Sequence, residues 1–275
     1  MLNDAVNLPL LPMLPLDTVY PAVAGNWCEI IFGAGAIMAL LFALKNWRDS
    51  NSPIMLFIFL GGTVTSLMEP YVDILGGCFH PIIGQHTAYE LMGRPIPWWV
   101  VASYAAYFGG LGMVVYHFFT KGITMRSVFI LFCVPVAVDI LIEELMMLAN
   151  LYYYYGQQPL ILHKFPAWWG PCNAMGVYIL VTVLALLKQH LHGWKLLLIP
   201  LTFPVADAIG YTVGLPSMVV VHTTNVSSFV SALAGFATYA LTALYLLGIA
   251  YVIGVDSPLR KGSKETPWFG AVAST

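Results

Sequence analysis

Seven carboxylic acids are unusual because they occur in stretches that are otherwise apolar enough to enter a lipid bilayer. They are Glu29, Glu69, Asp73, Asp139, Glu143, Glu144 and Asp207. Glu69 and Asp73 are four residues apart, as are Asp139 and Glu143, so each pair lies on one face of a helix. No lysine or arginine occurs in the same stretches to neutralise them. Crowded carboxyl groups away from water are therefore expected to hold some protons at neutral pH.

Acids placed in this way are suited to donating and accepting protons. A charged group that faces lipid costs about 2.5–3.5 kcal/mol on insertion, so several together are expected to face a shared interior cavity. The candidate catalytic residues for acid–base chemistry are Glu69, Asp207, Asp73, Glu143 and Asp139. Glu29 and Glu144 are close to interfacial regions, and we interpret them as structural groups. Fixing helix packing through hydrogen bonds is the alternative role for any single one of these acids.

Aromatic residues gather at the same level of the predicted bundle. Tyr152 and Tyr155 belong to four consecutive tyrosines, and Trp169 and Asn173 begin the next apolar stretch. Aromatic faces stabilise cations, so these four residues are predicted to bind substrate in a chamber that shields a developing carbocation. A belt of aromatic residues at the membrane interface is the alternative interpretation.

The elements that must position these residues are membrane helices. The chain has 275 residues, of which 59% are hydrophobic and 9% charged, far fewer charges than a soluble domain carries. Seven apolar stretches are about as long as a bilayer requires, at 22–44, 53–75, 97–119, 127–149, 167–187, 196–220 and 228–254. We predict an all-α, polytopic membrane protein with seven transmembrane helices. The sixth is expected to kink at Pro204 and Gly210.

The distribution of basic residues predicts the orientation. Lys45, Arg48, Lys121, Arg126, Lys188, Lys195, Arg260, Lys261 and Lys264 fall on one side of the predicted bundle, and Arg94 and Lys164 fall on the other. The positive-inside rule then places the N-terminus outside or in a lumen and the C-terminus in the cytosol. Residues 1–21 are predicted to be an irregular lead-in, 22–254 the bundle and 255–275 a cytosolic tail. The membrane would be the endoplasmic reticulum in a eukaryote and the plasma membrane in a bacterium.

Other kinds of site receive little support from the sequence. No metal is predicted, because closely spaced histidine clusters are absent. An imidazole cluster on the outer side is the alternative, from His80, His86, His163 and His222. A glycine-rich phosphate loop is also absent, so no cofactor is predicted. The net charge of −2 does not suggest nucleic acid as a partner. Cys78 and Cys172 fall on the oxidising outer side and could form a disulfide.

The architecture, with buried acids in the second and in a late helix, resembles the integral-membrane terpene cyclases of fungal meroterpenoid and indole-diterpene pathways. The matching positions are Glu69, in SLMEPYVD, and Asp207, in FPVADAIGYT. The resemblance implies that an early glutamate and a late aspartate carry acid–base roles. It further implies a reaction that starts when an epoxide or alkene of a prenyl chain is protonated.

Residues and resemblance together predict a membrane-embedded cyclase or isomerase that works without metal or nucleotide. Its partners would be a hydrophobic prenyl lipid substrate and the bilayer. A sterol or lipid isomerase with the same acid–base chemistry is one alternative. A proton-coupled small-molecule transporter is another, because buried carboxylates and a broken helix also suit alternating access. The sequence does not indicate an oligomeric state.

Overall fold

The structure, a computed structural model, describes residues 17–261. Within this part the chain is mostly helical. The helices are α1 Ala22–Ser50, α2 Ile54–Gly76, α3 Trp98–Lys121, α4 Met125–Leu148, α5 Trp169–His190, α6 Gly193–Val221, α7 Ser228–Ile253 and the short α8 Pro258–Lys261. Each predicted apolar stretch overlaps one of the first seven. Most of the predicted lead-in and tail lies outside the described residues.

Among the described helices, six are long and apolar enough to cross a bilayer, namely α1, α2, α3, α5, α6 and α7. This agrees with the prediction of a multi-pass membrane protein. Helix α4 has 24 residues, enough to span, but carries Arg126, Asp139, Glu143 and Glu144. The outward faces of the helices are apolar, and only Gly25 and Ala43 are fully buried in α1. Such a surface suits lipid and not water.

Three of the described helices contain an irregular turn in their interior, and two of these turns precede a proline. Helix α2 tightens to a 3₁₀ turn at Ser66–Met68, before Pro70, and α6 does so at Thr212–Gly214, before Pro216. A proline has no N–H for the carbonyl four residues earlier, which is that of Ser66 for Pro70 and that of Thr212 for Pro216. The preceding N–H groups, of Glu69 and Leu215, bond to these two carbonyls instead, which tightens each turn. Helix α3 widens to a π turn at Ala105–Gly109. Helix α6 is continuous from Leu198 to Tyr211, across Pro204 and Gly210, where we predicted a kink, and its 3₁₀ turn follows directly after this segment.

Glycines let the central helices cross closely. A Cβ atom at Gly210 of α6 would lie 2.6 Å from the Cα atom of Gly176 in α5, and one at Gly109 of α3 would lie 3.2 Å from the Cα atom of Phe59 in α2. Side chains larger than hydrogen would push these helices apart. The α5 helix is consequently the most enclosed of the candidate spans, with 67% of its apolar window buried.

Two small antiparallel sheets join the loops at one end of the bundle. Strands β1 (Cys78–Phe79) and β4 (Tyr153–Tyr154) pair the loop after α2 with the loop after α4. Strands β2 (Thr87–Leu91) and β3 (Arg94–Pro97) form a hairpin between α2 and α3. These loops cover the end of the bundle at which the candidate site lies.

Candidate active site

A cavity lies inside the bundle beneath these loops. Four of the predicted acids line it: Glu69 and Asp73 from α2, and Asp139 and Glu143 from α4. Its volume, counted as the space open to the centres of water molecules, is about 100 Å³. One water molecule needs roughly 10–15 Å³ by this measure. The cavity therefore has room for several waters or for the reactive end of a larger molecule.

A glycine turn brings His80 back over the end of α2. Gly77 ends the helix with a φ of 66°, and a Cβ atom there would lie 2.7 Å from the carbonyl oxygen of Tyr155. Glycine is the residue that adopts this left-handed conformation without strain. The turn leads into β1, whose pairing with β4 fixes the direction of the chain. His80 follows directly, and 2% of its side chain is exposed.

Glu69, Asp73 and His80 form the first acid group of the cavity. The Nε2 atom of His80 lies 3.2 Å from Oε1 of Glu69 and 3.8 Å from Oδ1 of Asp73. Burial by itself lowers the pKa of His80, but the Asp73 and Glu69 carboxylates outweigh this and raise it above its ordinary value. The hydroxyl of Tyr104 donates a hydrogen bond of 2.7 Å to Oε2 of Glu69. Both oxygens of Glu69 thus have partners that can exchange protons.

Asp139 and Glu143 form a second acid group, one turn apart on α4. The amide of Asn173 donates a hydrogen bond of 3.0 Å to Oδ2 of Asp139. The hydroxyl of Tyr152 donates to Oε2 of Glu143. Two neighbouring carboxylates that cannot both ionise freely share protons as a pair. The second group can therefore accept a proton released in the cavity.

Aromatic rings form most of the remaining wall. The ring of Trp99 stacks on Tyr152 at 6.1 Å between centroids and on Phe32 at 6.2 Å. On another part of the wall, Trp169 stacks on Tyr211 at 5.2 Å. Their faces carry partial negative charge, which stabilises a cation held between them.

The structure brings together most of the predicted site residues, but it separates two of them from the cavity. Tyr152, Trp169 and Asn173 line it with the four acids. Tyr155 does not, because its hydroxyl accepts a hydrogen bond of 2.7 Å from Arg94 in the loop. Asp207 is fully buried in α6 but is not part of the lining. Its helix turns Tyr211 and not Asp207 toward the cavity.

The predicted bridge between Cys78 and Cys172 is not formed, and within the described chain both residues are free and buried. Cys78 begins β1, whereas Cys172 lies inside the first turn of α5, where its thiol donates to the Trp168 carbonyl at 3.4 Å. Burial raises the pKa of the Cys78 thiol well above its ordinary value. Cys78 is therefore expected to react slowly with thiol reagents.

The two acids interpreted as structural lie outside the lining. Glu144 accepts hydrogen bonds from the backbone N–H groups of Lys164 and Phe165 and so holds the loop after α4. Glu29 lies 3.4 Å from the exposed ring of His86. Both contacts are to loops, as expected for groups near the ends of spans.

Sequence reasoning missed His80, Tyr104 and Tyr211 as site residues. Tyr211 could have been found from its spacing, because it follows Asp207 by four residues on one helix face. The π turn that begins after Tyr104 has no clear sequence signal, although π turns are frequent at functional sites. The position of His80 next to Glu69 depends on the turn at Gly77, and this proximity is visible only in the folded chain.

The first acid group also has the composition of a metal site. One ligand atom each from Glu69, Asp73 and His80 lies within 4.8 Å of the other two. Two carboxylates and an imidazole could hold a divalent ion by this geometry. However, Glu69 already accepts from Tyr104, and Arg94 adds positive charge near Asp73. These competing partners make the set equally suited to proton exchange without a metal.

No family model matches the chain, and comparisons with curated proteins and with solved structures found no match either. The geometry of the site is therefore the basis for the functional proposal.

Proposed function

We propose that this protein is a membrane-embedded enzyme that cyclises or isomerises a prenyl or epoxyprenyl lipid by acid–base chemistry. In this proposal α4 is a seventh transmembrane helix, with its acids turned to the cavity. The excess of basic residues on one side favours an N-terminus outside or in a lumen and a C-terminus in the cytosol. The resemblance to fungal terpene cyclases points to the same class of reaction.

The observation that carries the proposal is that two acid groups from different helices line one aromatic-walled cavity. A reaction that begins with protonation and ends with loss of a proton needs a donor and an acceptor at separate positions. Glu69 suits the donor, because His80 and Tyr104 can return a proton to it. The Asp139–Glu143 pair suits the acceptor.

The steps follow from this arrangement. Glu69 donates its proton to an epoxide oxygen or an alkene carbon of the substrate, and a carbocation develops as electrons shift toward the new bond. Rings of Trp99, Trp169 and Tyr211 stabilise the cation and keep water away from it. The Asp139–Glu143 pair then removes a proton from a neighbouring carbon, which restores a double bond. The product is an isomer of the substrate.

The size and the opening of the cavity favour a substrate that remains partly in the lipid. A cavity with room for several water molecules can hold the reactive end of a prenyl chain while the apolar tail stays in the bilayer. Ile142 of α4 lines the cavity and is nevertheless 38% exposed, and Ser103 and Tyr107 of α3 are also partly exposed. The gap between α3 and α4 therefore offers a lateral path from the bilayer for the apolar tail.

The experiment is a product assay in membranes that contain the wild type, Glu69→Gln or Glu90→Gln. Glu90 is exposed in the β2–β3 hairpin, so its variant is a matched control for loss of one carboxylate. Prenylated and epoxidised lipids and sterols are supplied, and products are read by mass spectrometry. We expect an isomer of unchanged mass from the wild type and Glu90→Gln, with a loss of at least about a hundredfold in Glu69→Gln.

Two results would contradict the proposal. One is the absence of conversion by well-folded wild type across the panel, which would favour proton-coupled transport and lead to proton-flux measurements in liposomes. The other is conversion by Glu69→Gln at the wild-type rate, which would remove the acid from the mechanism. Conversion of sterols in place of open prenyl chains would identify the isomerase alternative.

A further inference from the structure

Asp207 is a buried acid that the cavity does not use directly. Its relative exposure is 0%, and neither carboxylate oxygen has a hydrogen-bond partner among the described residues. Gly176 of α5 packs against it so closely that a Cβ atom there would lie 2.7 Å from Oδ1 of Asp207. Leaving a buried polar group unsatisfied costs about 1–3 kcal/mol, and more for a charged one. A carboxyl group that only fixed helix packing would be hydrogen-bonded.

Two tyrosines lie between Asp207 and Glu69. Tyr211 follows Asp207 by four residues in α6, so their side chains share a helix face. Tyr211 and Tyr104 both line the cavity, which has room for several water molecules. The hydroxyl of Tyr104 in turn donates the 2.7 Å hydrogen bond to Glu69. Asp207 itself is close enough to Tyr211, Tyr104 and Glu69 to interact with each of them electrostatically.

We propose that Asp207 is a proton reserve that recharges Glu69 through Tyr211 and Tyr104. The proton of Asp207 passes to the Tyr211 oxygen, that of Tyr211 to the Tyr104 oxygen, and that of Tyr104 to Oε2 of Glu69. Asp207 ends as a carboxylate and Glu69 as an acid, and neither tyrosine is left charged. The transfer is reversible, so Asp207 recovers its proton whenever Glu69 is protonated from the cavity. The use of this reserve in turnover rests on the proposed function, whereas the proton path itself does not.

The first two steps of the path span more than a direct hydrogen bond. No direct hydrogen bond joins Asp207 to Tyr211 or Tyr211 to Tyr104 among the described residues, so side-chain rotation or bridging water must close both gaps. The last step needs no movement, since Tyr104 already donates to Glu69 and is held by stacking on Phe108 at 4.4 Å. In this scheme Asp207 is a positioning residue that acts through Glu69 and does not touch substrate.

The test follows hydrogen–deuterium exchange at Asp207 by infrared spectroscopy on the purified full chain in lipid nanodiscs. The variant Asp207→Asn identifies the carboxylic acid band of Asp207 as the band that it removes. We expect Tyr211→Phe and Tyr104→Phe to slow the exchange of this band at least tenfold after transfer to D₂O. Tyr178→Phe is the matched control, because Tyr178 is equally buried but donates to the Leu131 carbonyl, away from the path.

The proposal is overturned if the band exchanges at the wild-type rate in both tyrosine variants, or if Asp207→Asn removes no acid band. If one tyrosine variant fails to fold, the other makes the same test. Because the measurement needs no substrate, it is independent of the proposed reaction. For an active enzyme, Asp207→Asn is expected to lower kcat at least tenfold with KM unchanged. Slowed exchange in a protein without cyclase or isomerase activity would support the path and reject the proposed function.

Discussion

Replacing Gly210 by alanine is expected to force apart α5 and α6, the two helices that enclose Asp207. The new methyl group would lie 2.6 Å from the Cα atom of Gly176 and 3.0 Å from the carbonyl carbon of Met175. Both neighbours are backbone atoms and cannot rotate away. Carbon atoms approach favourably to about 3.5–4.0 Å, so the helices must separate by roughly 1 Å at the crossing.

The magnitude follows from overpacking in a tight core. Such insertions cost about 1–3 kcal/mol, which is about a 5- to 140-fold change in the ratio of folded to unfolded protein. The matched control is Gly248→Ala in α7, where a Cβ atom would have no described neighbour within 4 Å. Because alanine favours helix over glycine by up to about 1 kcal/mol, this control is expected to be neutral or slightly stabilising.

The assay is reversible unfolding in mixed detergent micelles, followed by circular dichroism, with both variants and the wild type under identical conditions. Gly210→Ala should unfold at a clearly lower denaturant fraction than the wild type, and Gly248→Ala should not. If Gly210→Ala is as stable as Gly248→Ala, the close crossing of α5 and α6 is not a determinant of this fold. That result would also contradict the claim that close packing of α5 against α6 encloses Asp207.

Three further predictions concern the site and its opening. Because Asp73 and Glu69 raise the pKa of His80, the stabilisation that charged His80 provides is complete below about pH 6.5 and is lost as the pH rises through the folded-state value. His80→Gln should therefore lose most thermal stability at low pH, and a deficit that grows with pH would contradict this. Ile142→Trp should narrow the opening and lower kcat/KM about tenfold, or by about 1.4 kcal/mol, whereas Val138→Trp, one turn away on the same lipid-exposed side, should not. Chelation with EDTA should leave conversion unchanged; a loss that Mg²⁺ or Mn²⁺ restores would instead assign a metal to Glu69, Asp73 and His80.

The helices could be predicted from the sequence because their signal is local. An apolar run of about 20 residues bounded by polar residues needs no knowledge of the fold, and the runs at 22–44 and 228–254 correspond to α1 and α7. The sequence predicted a kink in α6 at Pro204 and Gly210, but not its 3₁₀ turn. Pro204 is accommodated within a continuous helix, and the turn forms at Thr212–Gly214 instead. Gly210 serves the helix crossing, which depends on a partner helix that the local sequence does not reveal.

The acids of the cavity were predictable where two of them share one helix face. Glu69 with Asp73 and Asp139 with Glu143 were predicted to face a cavity from their spacing, and all four line it. Spacing cannot show which neighbour competes for a side chain. Tyr155 is held by Arg94, which lies 61 positions earlier in the chain.

The hidden position of Asp207 is a similar consequence of tertiary packing. Its helix face was predictable, but Tyr211 on the same face reaches the cavity and Asp207 remains behind it. His80 likewise enters the site through the β1–β4 pairing, a contact between loops more than 70 residues apart. Both features depend on contacts between distant segments, and a single sequence carries no signal for them.

The most direct test of the central claim is to run the reaction in D₂O and read the products by mass spectrometry. Substrates with a terminal alkene are chosen, because a deuteron added to carbon does not wash out as one on oxygen would. The proposed mechanism predicts a product one mass unit heavier than in H₂O, with a carbon-bound deuterium, from the wild type and Glu90→Gln but not from Glu69→Gln. An isomer formed in D₂O without deuterium would contradict protonation by an exchangeable acid in this cavity.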